Sequence, residues 1–264
     1  MSCSVICVPR ESGEIRIGCS GWQYASWKGT FYPAELRTRD WLEYYVGQFD
    51  TVEINRTFYR LPEADTFAAW RDALPAGFVA AIKASRYLTH LKQLRDPGPP
   101  LQRLFERARA LRPRLGPVLY QLPARLKFDE VRLRTFLAAL PRRGYRHAIE
   151  FRDPTWYRDD VFQWLVEAGV ALCLHDKEGA RIDDGPSEPF VYVRFHGTSG
   201  RYHGSYADSA LTPWADRIRG WSRHGVDVYA YFNNDPGGTA PANAHALRRL
   251  VRGAASRDDR RRTS

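Results

Sequence analysis

Short apolar runs alternate with longer amphipathic stretches along the whole chain. Runs of four to eight residues rich in β-branched and aromatic side chains read as buried strands, and they fall at 15–20, 51–55, 78–83, 117–121, 146–151, 170–175, 190–196 and 226–232. Apolar residues spaced three and four apart predict helices near 39–47, 63–73, 100–112, 129–139, 159–168, 213–224 and 240–252. Leu101, Leu104, Phe105, Ala108 and Leu111 form such a ladder. Strands alternating with helices imply parallel pairing and right-handed crossovers. Eight strands predict a closed (β/α)8 barrel. The first strand is not followed by the glycine fingerprint of a dinucleotide-binding sheet.

A length of 264 residues suits one such barrel, with a core over about 15–252 and loose segments at 1–13 and 254–264. No apolar run approaches the roughly 18 residues needed to span a bilayer, and the opening MSCSVICVPRESGE lacks the basic start of an export signal. Cys3, Cys7, Cys19 and Cys173 form no CxxC pair. Together these features predict a cytoplasmic protein with reduced thiols. The sequence sets no oligomeric state.

Charge is spread unevenly. Residues 86–146 hold 15 Lys/Arg against 4 Asp/Glu, within a chain whose net charge is +10. Such a face draws anionic partners, so nucleic acid is one candidate. A solvated surface is the plainer reading, because Arg outnumbers Lys 35 to 5 throughout.

In a (β/α)8 barrel the chemistry sits at the carboxyl ends of the strands. Those ends read Ser20-Gly21-Trp22, Glu53-Ile54-Asn55, Lys83, Gln121, Glu150-Phe151-Arg152, His175-Asp176, Arg194-Phe195-His196 and Asn233-Asn234. All eight are polar although the strand bodies are apolar. Strand alternation places Glu53 with Asn55, Glu150 with Arg152 and Arg194 with His196 on common faces. Glu53, Lys83, Glu150 and His196 are therefore the candidate catalytic groups. The carboxylates would act as general acid and base, Lys83 as an anion holder, base or Schiff-base nucleophile, and His196 as a proton carrier. The competing reading pairs the carboxylates with Lys83, Arg152 and Arg194 as structure only.

Candidate ligand-binding residues are Trp22, Tyr24, Asn55, Gln121, Arg152, Arg194, Tyr206, Asn233, Asn234 and Gly238. The loops 196–204 and 233–239 are rich in glycine, as where barrels hold phosphate, though turns and a helix cap would look alike. Trp22, Tyr24 and Trp27 could stack a ring or plug one side of the barrel. Glu53, Glu150, His175, Asp176 and His196 could ligate a metal, but no HxH, HExxH or DxH spacing supports one, and the sequence assigns no cofactor.

Several of these segments form longer motifs: IGCSGW (17–22), WKGTFYP (27–33), VEINRTFYRLP (52–62), KASR (83–86) with LTH (88–90), GPVLYQLP (116–123), IEFRDPTW (149–156), VRFHG (193–197) and YFNNDPGGTAPANA (231–244). Over about residues 15–251 the chain resembles the domain-of-unknown-function 72 family, also called YecE-like. Cys19 stands where a threonine is common. The resemblance implies a TIM-type barrel and a pocket at the strand ends, and it supplies no reaction. The residues predict an enzyme, of hydrolase or isomerase type, acting on a small anionic substrate, with a phosphate or a carboxylate as the candidate anionic group. A nucleic-acid-binding protein using 86–146 and a non-catalytic ligand-binding barrel are the alternatives.

Overall fold

Eight parallel strands close on themselves in sequence order in a computed structural model of the chain. The residues described are 12–176, 190–199 and 202–262, with side chains to 253. The strands are β1 Ile15–Ser20, β2 Thr51–Ile54, β3 Val79–Lys83, β4 Leu115–Gln121, β5 His147–Glu150, β6 Val170–His175, β7 Phe190–Phe195 and β8 Asp227–Phe232. Each falls within two residues of its predicted span at either end. The ring closes where β1 runs beside β8, with Ile17 opposite Ala230 and Gly18 opposite Tyr231.

The helices are α1 Trp41–Gln48, α2 Arg56–Tyr59, α3 Ala64–Ala73, α4 Gly98–Ala108, α5 Glu130–Ala139, α6 Asp159–Ala168, α7 Asp208–Arg223 and α8 Thr239–Arg262. Local chemistry sets their ends. Asp129 caps α5 by accepting from the Arg132 amide at 2.9 Å, and Gly169 ends α6 in the left-handed region at φ 67°. The one-turn α2 was not expected. α7 begins before its predicted start at 213 and carries Pro213 inside it, and α8 runs on past 252. Among the described residues, no helix is long and apolar enough to cross a membrane.

Two apolar layers result from strand alternation. Outward-facing Ile17, Val52, Ile82, Val118, Ile149 and Val193 pack against the helices. Inside the ring, Ala81, Ala148 and Ala171 leave room for Phe190, Tyr192, Tyr229 and Tyr231. Small residues on one arc thus accommodate large ones on the other. Gly18 is needed for close approach, since a Cβ there would lie 2.4 Å from the Thr51 carbonyl oxygen. In its place the Tyr45 hydroxyl accepts from the Cys19 amide and donates to the Thr51 carbonyl.

Candidate functional site at the carboxyl ends of the strands

The uppermost inward-facing layer is charged. From β7, the Arg194 guanidinium crosses the barrel, donating through Nη2 to Glu53 Oε1 and through Nη1 to Glu150 Oε2, both at 2.8 Å. All three side chains are fully buried. Glu53 also accepts from Ser20 Oγ at 2.6 Å and from the Tyr192 hydroxyl at 2.7 Å. Arg152 pairs with Glu150 from the same strand end and donates through Nη2 to His196 Nε2 at 3.1 Å. Asn233 Nδ2 lies 3.4 Å from His196 Nδ1. Glu53, Glu150, Arg152, Arg194, His196 and Asn233 therefore form one connected network, drawn from β2, β5, β7 and β8.

Ionisation follows from these contacts. Burial would raise the Glu150 carboxyl, but Arg152 and Arg194 outweigh it and hold the group well below the usual carboxylate range. Burial pushes His196 down to about 3 despite the neighbouring Glu150. The imidazole is thus neutral at physiological pH, with Nε2 facing the Arg152 guanidinium and Nδ1 facing the Asn233 side chain. Glu150 Oε1, 3.4 Å from Nε2, does not make this an ion pair.

Lys83 stands apart. It ends β3, only 8% exposed, with its ammonium 4.1 Å from the centre of the Phe58 ring. Among the described residues the ammonium makes no hydrogen bond and no ion pair, while the Lys83 carbonyl accepts from the Thr57 hydroxyl at 2.6 Å. The nearby carboxylates are already taken up by Arg194 and Arg152. Burial, then the charge of Arg194, lowers Lys83 to about 7 against the opposing pull of Glu53 and Glu150.

Asp235, in the loop after β8, supplies a further acid. Burial raises its carboxyl to about 7, the Tyr24 hydroxyl and Arg194 acting the other way. Asp235 Oδ1, Asn55 Oδ1 and Arg194 Nε are buried without a hydrogen-bond partner among the described residues. Asn55 Nδ2 and the Tyr24 hydroxyl both donate to the Ser20 carbonyl, at 3.4 and 2.6 Å, which brings the β1 and β2 ends together.

Other predicted residues hold the surroundings in place. Asn234 Nδ2 donates to the Gly204 carbonyl and to Asn243 Oδ1, tying the two glycine loops to α8. The Tyr206 hydroxyl donates to Asp176 and accepts from the Gly197 amide at 2.6 Å, and Asp176 also takes the His196 amide at 2.9 Å. Gly238, at φ 75°, lies where a Cβ would meet Thr30 Oγ1 at 2.3 Å. Gln121 is half-buried and donates to the Leu122 carbonyl. Trp22 packs edge-on against Trp70, and Trp27 is wholly enclosed, donating to the Asp235 carbonyl at 3.0 Å. Of the three aromatics, Tyr24 alone stays half-buried at the mouth; Trp27 plugs. His175 turns Nε2 to the Phe151 carbonyl at 3.0 Å, and no three His, Cys, Asp or Glu among the described residues gather as a metal site.

Sequence reasoning did not assign Tyr192, Asp235 or Asn243. Tyr192 was legible in retrospect, two residues before Arg194 on the same strand face. Asp235 lies in a loop, where alternation says nothing. Many cations of 86–146 are engaged: Arg107 with Glu63, Arg132 with Asp129, Arg146 with Asp227 and Arg112 over the Tyr145 ring. Cys19 and Cys173 are free thiols buried in the barrel wall, while Cys3 and Cys7 lie outside the described residues.

A closed parallel barrel with a polar, ion-paired layer at its carboxyl end defines a TIM-barrel protein. The chain belongs to the family described as "Protein of unknown function DUF72", whose model matches residues 16–263. It is similar to the UPF0759 protein YunF of Bacillus subtilis, 22% identical over 90% of this chain and 94% of that one. It is also similar to the UPF0759 protein YecE of Escherichia coli, 28% identical over 59% of this chain and 55% of that one. Among solved structures, a DUF72 family protein from Thermotoga maritima superposes with a TM-score of 0.81 at 26% identity, over 90% of this chain and 99% of that one. A DUF72 family protein from Enterococcus faecalis, 18% identical, shares the fold with a TM-score of 0.75 over 90% and 95% of the two chains.

Proposed function

We propose that this protein is an enzyme acting on a small anionic substrate at the carboxyl end of the barrel. One observation carries the proposal. Two carboxylates, Glu53 and Glu150, are matched by two guanidiniums, which leaves the Lys83 ammonium as surplus positive charge at the mouth. An anion entering there meets a cation whose pairing is otherwise incomplete, in surroundings that screen poorly. In this reading Glu53 and Glu150 fix the two guanidiniums, and His196 positions Arg152. Proton transfer falls to Lys83 and Asp235, the two groups whose surroundings bring them near neutrality. Isomerisation and hydrolysis both need such a pair. The orphaned Asn55 Oδ1 and Arg194 Nε suit a substrate that also carries hydroxyl or carbonyl groups.

The test is ligand-induced stabilisation. Inorganic phosphate or sulfate, titrated at constant ionic strength against chloride, should raise the unfolding temperature of the wild type. Lys83→Met should abolish the effect. A wild type that responds to phosphate no more than to chloride overturns the proposal. A panel of phosphorylated and carboxylated sugars then identifies the substrate, with turnover falling at least about 100-fold in Lys83→Met.

A further inference from the structure

We propose that Lys83 is a covalent nucleophile, and that the substrate is an aldehyde or ketone bearing an anionic group, bound through an imine to Lys83 Nζ. The anionic half of this statement rests on the function proposed above; the covalent half does not.

Several features of the surroundings favour an amine over an ammonium. Lys83 projects from the end of a barrel strand, which fixes its stem, and it is more than nine-tenths buried. Among the described residues, the Phe58 ring is its contact, and neither Glu53 nor Glu150 lies within ion-pair distance. Those carboxylates face Arg194 and Arg152 instead, and the two guanidiniums repel a third cation. With no carboxylate to hold its proton the ammonium readily becomes an amine, and the protonated imine restores the positive charge that the anion meets. Lys83 is given cations and an aromatic face, the setting that makes a lysine nucleophilic.

The reaction balances without an oxidant or reductant. The neutral Nζ attacks the carbonyl carbon and forms a C–N bond as the C=O π bond opens onto oxygen. That oxygen takes a proton, Nζ loses one, and a carbinolamine results. A second proton on the same oxygen lets it leave as water, giving the protonated imine. Solvent, to which Lys83 keeps 8% exposure, supplies the second proton to the departing oxygen. The imine then withdraws electrons from the neighbouring carbon. This narrows the chemistry to isomerisation or carbon–carbon bond cleavage rather than hydrolysis.

The composition makes the test clean, because the chain has only five lysines: Lys28, Lys83, Lys92, Lys127 and Lys177. The full chain is incubated with glyoxylate, a small aldehyde bearing a carboxylate, and sodium cyanoborohydride, which reduces imines to stable amines. Peptide mapping by mass spectrometry then locates the adduct. At pH 7 a lysine titrating near 7 is about half neutral, whereas an ordinary one is neutral to roughly one part in a thousand or less. The Lys83 adduct should therefore exceed those at Lys28, Lys92 and Lys127 by at least about 10-fold. Its yield should rise between about pH 6 and 8, a midpoint set first by burial and then by the titratable and charged groups around it, Arg194, Glu53, Glu150, Arg152 and His90. Lys83→Arg, verified as folded by circular dichroism, should lose that adduct and keep the others.

Adducts spread evenly over the lysines, or absent from Lys83, overturn the covalent role even if phosphate stabilises the protein. If Lys83 is labelled selectively but acetaldehyde, which has no charge, labels it equally well and phosphate gives no protection, the imine stands and the anionic reading falls.

Discussion

Both ends of the barrel carry arginine–carboxylate pairs, and they differ in what surrounds them. At the amino end, Arg16 pairs with Glu14 and Asp50, and Arg146 pairs with Asp227 while donating to the Tyr229 hydroxyl at 2.6 Å. Asp50 is 46% exposed and Arg146 43%. At the carboxyl end, Glu53, Glu150 and Arg194 are fully removed from solvent. Water therefore does at one end what the protein must do at the other. Exposed pairs are worth about 0–1 kcal/mol, whereas a buried charge stripped of its partner costs several. The amino end closes the barrel. The carboxyl end holds charge in a fixed geometry and leaves one amine over, which is the arrangement expected of a reaction site.

Substitution can break or sharpen this contrast. Arg194→Met should have the largest effect, since it strips the buried Glu53 of its guanidinium and Glu150 of one of its two: a loss of about 3–5 kcal/mol in denaturant unfolding. A loss below about 1 kcal/mol would mean that the buried layer is no different from the exposed one. Lys83→Met should shift stability the other way, gaining a few kcal/mol at pH 6–7. Lys83 titrates near 7 folded and near 10.5 unfolded, so the unfolded chain binds more protons between those values and wild-type stability rises with pH across them. The advantage of Lys83→Met should therefore be full below pH 7 and vanish toward 10.5; a gain independent of pH contradicts the depressed amine. Asn234→Ala, which unties the Gly204 carbonyl and Asn243, should lose about 1–3 kcal/mol. Asp50→Asn at the amino end should change unfolding by less than about 1 kcal/mol, and that small effect should disappear in high salt.

Glu150 adds a comparison in acid. Its depressed carboxyl contributes stability that is present above its unfolded value of 4.5 and is lost as pH falls below it. The wild type should lose stability more steeply than Glu150→Gln below about pH 4.5, as followed by circular dichroism.

How much of this was legible differs between fold and site. All eight strands could be read, because each is a contiguous apolar run whose neighbours in sequence are its neighbours in the sheet. α7 was started late, at Pro213, because a proline favours the first turn of a helix and the preceding residues carry little periodicity. Glu53, Lys83, Glu150, Arg194 and His196 were legible as polar residues ending apolar strands. Their roles were not. His196 looks like a proton carrier until burial is known, and Asp235 looks like a turn residue until its carboxyl is found enclosed beside Tyr24.

The sequence by itself determined the alternation of strand and helix, the closed parallel order, and the belt of polar residues where the strands end. These follow from periodicities of two and 3.6 residues, which act over a few positions and leave their mark in any window of the chain. Only the tertiary structure decided which charges cancel. Arg194 meets Glu53 across 141 residues, and Lys83 is left out of the pairing, because closing the ring sets those distances and burial removes the water that would otherwise make the choice unimportant.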